Sequence, residues 1–414
     1  MRILLINAED VNGGAAVAAY RLSKGLERFY DDIEIFLAVG TKWSHDPRVF
    51  PTRQKGLQRI IENGLDICTN RLGLQYFCFP FSTSTLLRLA RKLKPDIFYL
   101  RNIHGGYFKT SLIKDLTKMA PIVWTLSDMW SFTGHCAHSF GDMSWKYMKG
   151  GCPDVNIYPP IGINTGRWLL KRKRAIYQSA NMTIVTPSKW LYNLARQSPA
   201  FENIDMFQIY NGFDLDIFRP KDKTACKRAL DIPKECKVLM FSSRFLTPWK
   251  GAVDLINILK SINKRIRDKI YLLIIGRGDF HNLSCLDNFV VRNIGYVRSD
   301  ILMATFLSAS DLLIYPTRAD NLPNVLIEAI SCGTPCVTFD IGGSAEIIED
   351  GISGSVIPPF DTEMFSSKAI EVLEDHGRQR FLSTNARESA ETRFTLEQMC
   401  KNYYNLFRRT IEAC

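Results

Sequence analysis

Apolar residues along this chain gather in short blocks of four to seven rather than in one long periodic run. Met1–Asn7, Ile33–Val39, Ile97–Leu100, Ile122–Leu126 and Met182–Ser188 read as buried strands in the first half. Between them, helical spacing predicts helices opening at Asn12–Leu22, over Leu86–Leu93, over Ser111–Met119, and from Arg167 towards Ala180. The alternation breaks at Asn211-Gly212-Phe213-Asp214 and Pro220, where turn signals lead into a lysine-rich stretch without strands. It then restarts: Val238–Ser243, Ile270–Ile275, Phe289–Ile294, Asp311–Tyr315 and Pro335–Phe339 read as strands, with a helix through Lys260 opened by Lys250-Gly251. Strands alternating with helices of this length predict an α/β fold with a parallel, doubly wound, Rossmann-like sheet in each half. The expected division is a first domain over 1–210 and a second over 211–394, with a central cleft between two sets of loops at strand carboxyl ends.

Candidate chemistry falls on those loops. Gly13-Gly14 follows the first strand and opens a helix of small residues, an arrangement in which backbone amides approach a phosphate or in which glycines only allow close packing. Arg244 and Lys250 bracket one short loop, so both cations can face one diphosphate, the guanidinium gripping two oxygens and the ammonium adding a point charge. Gly276 ends the next strand. After Tyr315 comes Asp320-Asn321-Leu322-Pro323-Asn324 and then Glu328; Pro323 suits the first position of a helix, which leaves Leu322 as an N-cap without a side-chain acceptor. Asn321, Asn324 and Glu328 are expected on one polar stripe, with Glu328 suited to paired ribose hydroxyls and Asp320 and the uncapped amides suited to a sugar. In the first half, His104, Ser127, Asp128 and His135 lie in polar clusters after the third and fourth strands. His135, Cys136, His138 and Cys152 are residue types that bind zinc, but their spacing matches no common zinc module. Residues 140–165, rich in Gly, Pro and aromatics, are expected to form an irregular flap.

Composition narrows the partners. The 414 residues carry a formal charge of +11, which favours an anionic partner. No zinc-finger, RNA-recognition or helix-turn-helix pattern points to nucleic acid. Arg167-Trp168-Leu169-Leu170-Lys171-Arg172-Lys173-Arg174 is either a solvated basic helix face or a contact with anionic lipid headgroups. The eleven cysteines, without the close regular spacing of a disulfide framework, and the early polar residues Asn7, Glu9 and Asp10 lead to an expected cytoplasmic location, with contact at the inner face of a membrane as an option.

With these pieces in place the chain resembles the GT-B-fold glycosyltransferases of family 4, the glycosyl transferases group 1. The resemblance rests on Gly13-Gly14, Pro187-Ser188, Asn211-Gly212-Phe213-Asp214, Arg244 with Lys250-Gly251, Gly276-Arg277-Gly278, and Asp320 through Glu328-Ala329 with Gly333-Thr334-Pro335. It implies an acceptor-binding first domain joined by a C-terminal helix within 395–414, and a donor-binding second domain. It also implies transfer of a hexose, with retention, from a nucleotide-diphosphate sugar to a glycan hydroxyl on a lipid-linked capsule, exopolysaccharide or lipopolysaccharide intermediate, without a metal or other cofactor. Arg244, Lys250 and Asp320 would be catalytic; Gly13, Gly14, Gly276, Asn321, Leu322, Pro323, Asn324 and Glu328 would bind the donor. Two departures stand out: Asp320 replaces the family's first Glu, and Ser127 stands where many relatives have His. The alternative is a catalytically impaired subunit that binds nucleotide sugar or glycan within an assembly complex.

Overall fold

The computed structural model describes residues 1–278, 283 and 286–413. Its residues fall into two compact units: 1–210 with the segment from Met399 onward, and 211–398. Cys414, the end of the C-terminal helix expected from the resemblance, lies outside the described residues.

In the first unit the order is β1 (Arg2–Glu9), α1 (Gly14–Phe29), β2 (Glu34–Thr41), β3 (Val49–Pro51), α2 (Gly56–Arg71), α3 (Pro80–Leu93), β4 (Ile97–Leu100), α4 (Ile113–Leu116), β5 (Ile122–Thr125), α5 (Gly166–Tyr177), β6 (Met182–Thr186), α6 (Lys189–Ala195) and β7 (Met206–Gln208). The sheet runs β3-β2-β1-β4-β5-β6-β7, with every pairing parallel. Strands β4 and β5 are buried at every position, as helices on both faces of a parallel sheet require. The helix expected over Ser111–Met119 is shorter: a 3-10 turn, Thr110–Leu112, leads into the single turn of α4, and Pro121 then feeds β5. Helix α3 starts earlier than expected, with Pro80 in its first turn, and ends on Lys94 in the left-handed region. Residues 140–165 are irregular but anchored: Asp142 accepts from Cys152 N at 2.7 Å, Trp145 Nε1 donates to Asp142 O, and Gln75 Nε2 donates to Pro159 O. They are no loose flap.

The second unit continues with α7 (Lys223–Ala229), β8 (Lys237–Phe245), α8 (Ala252–Arg265), β9 (Ile270–Arg277), β10 (Phe289–Gly295), α9 (Asp300–Ala309), β11 (Leu312–Tyr315), α10 (Asn324–Ser331), β12 (Cys336–Phe339), α11 (Ser344–Ile347), β13 (Gly354–Ile357), α12 (Thr362–Glu374) and α13 (His376–Arg393). Its sheet runs β10-β9-β8-β11-β12-β13, again parallel, so β8 is central and the strand order reverses beside it. Such a reversal opens a crevice at the carboxyl ends of the strands. The last helix, α14 (Leu396–Glu412), packs within the first unit: Tyr403 hydroxyl lies 2.9 Å from Thr125 Oγ1, and the Tyr404 ring stacks on Tyr30 with centroids 3.9 Å apart.

Candidate active site

In the second unit three carboxyl-end loops interlock by backbone. Trp249 O, in the loop between β8 and α8, accepts from Arg318 N at 2.8 Å and Ala319 N at 3.1 Å, in the loop between β11 and α10. Gly251 allows this approach: its φ is 76°, and a Cβ there would stand 1.8 Å from Pro316 O. Gly276, at the end of β9, is equally constrained, since its Cβ would lie 1.6 Å from Ser243 O. Its role is the close passage of β9 and β8, a packing requirement that the sequence alone does not separate from ligand contact.

Lys250 and Asp320 meet across these loops. Lys250 Nζ donates to Asp320 Oδ2 at 2.5 Å; Tyr315 hydroxyl donates to the same oxygen at 2.7 Å, and Asn321 N donates to Oδ1 at 2.9 Å. Three donors fix the carboxylate in one orientation. Burial and the neighbouring Asp320 charge push the Tyr315 hydroxyl well above its ordinary pKa, so it stays a donor. Arg244 sits at the exposed end of β8, its guanidinium 5.2 Å from the Phe245 ring centroid. These loops therefore offer one cation at a strand end and one cation tied to an acid. Arg318, inside the same loop, grips buried Asp254 through two bonds of 2.5 and 2.8 Å, bracing the loop against α8. Neither Tyr315 nor the Arg318–Asp254 clamp was singled out from sequence. Tyr315 was legible as the polar end of an apolar run five residues before Asp320.

The helix start differs from expectation by one residue. Pro323, with φ −65° and ψ 109°, is the N-cap of α10 and Asn324 is its first residue. Proline's fixed φ suits a cap with extended ψ as well as the first turn, so the earlier boundary was shifted. The consequence is that Asn321 is not on the helix: it is buried in the loop, and only Asn324 and Glu328 share the polar stripe. Leu322 is buried apolar packing. Asn324 Oδ1 accepts from Asn211 Nδ2 at 3.0 Å, while no side chain caps α10.

In the first unit, Gly13 is the N-cap of α1, with φ 97°, and neither a side-chain cap nor an acid occupies the first turn. The amides from Gly14 on thus open a helix with a positive dipole end. His104, 5% exposed, holds Asp128: Nε2 lies 2.8 Å from Oδ2, while Asp128 Oδ1 accepts from Trp130 N at 2.9 Å. Burial alone would raise the Asp128 pKa, but the His104 ring and the Trp130 amide outweigh it and lower it. Ser127 is half-buried beside them, lining the same small cavity as His104 and Asp128.

Two expectations are corrected here, and the residues weighed for zinc are placed. His135 is fully buried, and burial together with the nearby Lys173 lowers its pKa to about 4, so it is a neutral core residue rather than an accessory site residue. Cys136 and Cys152 form a disulfide, which removes both sulfurs from any zinc set, and no group of three or more potential ligands occurs among the described residues. Lys173, inside the basic run, is buried: its ammonium lies 3.8 Å from the Trp130 ring centroid and donates to the carbonyls of Trp130, Thr133 and Gly134. Leu169 and Leu170 are buried as well, and Arg174 pairs with Glu202, which leaves Arg167, Trp168 and Lys171 outward.

Two parallel-sheet units with this strand order define a GT-B-type glycosyltransferase fold. Residues 236–375 match the model of the glycosyl transferases group 1 family. It is 27% identical over 212 residues to the N-acetyl-alpha-D-glucosaminyl L-malate synthase of Bacillus anthracis, covering 50% of this chain and 54% of that protein. It is 22% identical over 338 residues to the putative colanic acid biosynthesis glycosyl transferase WcaC of Escherichia coli, covering 77% and 78%. Matches to the first relatives thus span about half of those proteins' length. The structure of Anabaena HepE in complex with UDP-glucose superposes with a TM-score of 0.69 at 16% identity, covering 100% of both chains.

Proposed function

We propose that this protein transfers a hexose from a nucleotide-diphosphate sugar to a glycan hydroxyl on a lipid-linked polysaccharide intermediate, retaining the anomeric configuration and using no metal. The observation that carries this reading is the Lys250–Asp320 pair, held by Tyr315 within interlocked loops beside the uncapped start of α10. Arg244 and Lys250 are assigned to the diphosphate. As the bond between the anomeric carbon and the phosphate oxygen breaks, negative charge grows on the leaving group, and fixed cations stabilise that charge more than the ground state. Asp320 keeps Lys250 oriented and contacts sugar hydroxyls; Glu328, one turn along α10 from Asn324, accepts from the ribose. Gly13 and Gly14 contribute backbone donors at the start of α1. His104, oriented by Asp128, serves the acceptor or donor sugar in place of the histidine that Ser127 replaces.

HepE's complex with UDP-glucose and the colanic acid role in WcaC's name support a nucleotide-sugar donor and a polysaccharide product. Among the described residues no helix is long and apolar enough to cross a membrane, so a lipid-linked acceptor would be reached by surface contact, with Arg167, Trp168 and Lys171 of α5 at the anionic headgroups. The test is a panel of UDP-, GDP- and ADP-sugars, read by saturable binding, slow hydrolysis and transfer to lipid-linked acceptors. Binding with transfer supports the reading. Binding without hydrolysis or transfer would make the protein a binding subunit, and no nucleotide binding would overturn both.

A further inference from the structure

Helix α2 carries its polarity inside out. Its only buried residue is Glu62, whose carboxylate accepts from Ser82 N at 2.7 Å and Ser82 Oγ at 2.6 Å. Asp66, the helix's other acid, is drawn in beside Arg53, whose charge opposes the effect of burial on it. The outward side holds the apolar residues: Leu57 is 71% exposed, Ile60 67%, Ile67 55% and, just past the helix end, Leu72 60%. Leu57, Ile60 and Ile67 follow one another at three and seven residues and so share one side of the helix, with Leu72 just past its end. An ordinary surface helix has the opposite arrangement, and a stripe of this length facing water marks an interaction surface.

The charges around the stripe select the partner. With both acids turned inward, the exposed charges on and next to α2 are Lys55, Arg59 and Arg71, all basic. The stripe also continues into α5, the helix already assigned to headgroup contact. Asn70 Nδ2 donates to Pro160 O at 3.0 Å, and Thr165 Oγ1 donates to Gly73 O at 2.5 Å, which binds the end of α2 to the start of α5. There the Arg172 guanidinium lies 4.4 Å from the Phe77 ring and 5.5 Å from the Trp168 ring, with Trp168 44% exposed. Apolar side chains rimmed by cations of one sign suit a phase that is hydrocarbon beneath and anionic at its surface. That is a bilayer containing acidic lipid.

We propose that α2 lies in the interface of an anionic membrane, with Leu57, Ile60, Ile67 and Leu72 entering the acyl boundary and Lys55, Arg59 and Arg71 at the headgroups. This goes beyond the α5 contact by naming the element that supplies the apolar part of the binding. It stands on exposure and charge, independently of the transfer reaction.

The full chain would be sedimented with vesicles of phosphatidylcholine alone and of phosphatidylcholine with phosphatidylglycerol. Binding is expected to the mixed vesicles and to survive partly at high salt, where charge contacts are screened. Ile60→Glu with Ile67→Glu should weaken it by about tenfold or more, because two apolar side chains are withdrawn from the interface. Arg59→Glu with Arg71→Glu should weaken it while leaving the apolar stripe intact. Nucleotide binding, measured without vesicles on the same variants, reports folding and tests the donor reading separately. Vesicle binding that is absent in the wild type, or unchanged in both variants with nucleotide binding retained, would overturn the proposal. So would a dimer in ultracentrifugation that the isoleucine variant dissociates while vesicle binding stays the same, since the stripe would then belong to a second copy.

Discussion

Removing the Lys250 ammonium should loosen the loop that presents Asp320. A unit pair about 4 Å apart at an effective dielectric of about 20 attracts by about 4 kcal/mol. The two side chains are 31% and 20% exposed, so water reaches both and screens the pair; about 2 kcal/mol is a reasonable remainder, between an exposed and a buried pair. Asp320 would keep Tyr315 and Asn321 N as donors, so the loop would not unfold outright. The assay is a double-mutant cycle with Lys250→Met, Asp320→Asn and both together, read by hydrogen exchange of peptides spanning 312–331. Lys250→Met alone should raise exchange about 30-fold, the equivalent of about 2 kcal/mol. In the Asp320→Asn background the same change should have little effect. A coupling below about 0.5 kcal/mol would refute the reasoning, because the cation would then be solvated rather than committed to Asp320.

Two other outcomes follow from the first unit. His135 has a folded pKa of about 4 against an ordinary 6.5, so between those values the unfolded chain binds a proton that the folded chain does not. Stability should therefore rise with pH across about 4 to 6.5, by about 3 kcal/mol from this residue (about 2.5 units at 1.36 each), and be complete above 6.5. Urea unfolding of wild type and His135→Gln over that range checks it; a stability difference that does not change with pH would contradict the assignment. Asp128→Asn removes the carboxylate charge that faces His104 Nε2, and transfer should fall by about tenfold or more with donor affinity unchanged. Equal loss of donor binding, or none of transfer, would separate His104 from the reaction.

The sheet was readable because β4, β5, β11 and β12 are buried on both faces and appear as short unbroken apolar runs. The three-residue strand β3 and helix α2 were not read: β3 ends on Pro51, and α2 has an apolar stripe whose period carries no sign of which side faces water. Lys173 shows the same blindness from the charged side. In sequence it is one of five basic residues in a row of eight, and only the fold turns it onto three carbonyls. At the site, residue types and spacing pointed to Asp320, Lys250 and Arg244. The partner of each did not follow from spacing, since Lys250 and Asp320 are 70 positions apart and meet only because Gly251 lets their loops touch. His135 is misleading for a related reason: in sequence it stands in a polar-looking loop, whereas the disulfide and the Lys173 contacts fold that loop into the core.

The proposed transfer requires the loop from Arg244 to Lys250 to hold a diphosphate. Titration calorimetry of wild type and Arg244→Ala with the nucleotide-diphosphate sugar that binds wild type tests it most directly, with thermal unfolding as the control for fold. Arg244 lies at an exposed strand end, so its removal should leave unfolding unchanged. Losing a charge-assisted, two-pronged contact should weaken binding by about tenfold to a hundredfold. Wild-type affinity in a fully folded Arg244→Ala protein would contradict the claim.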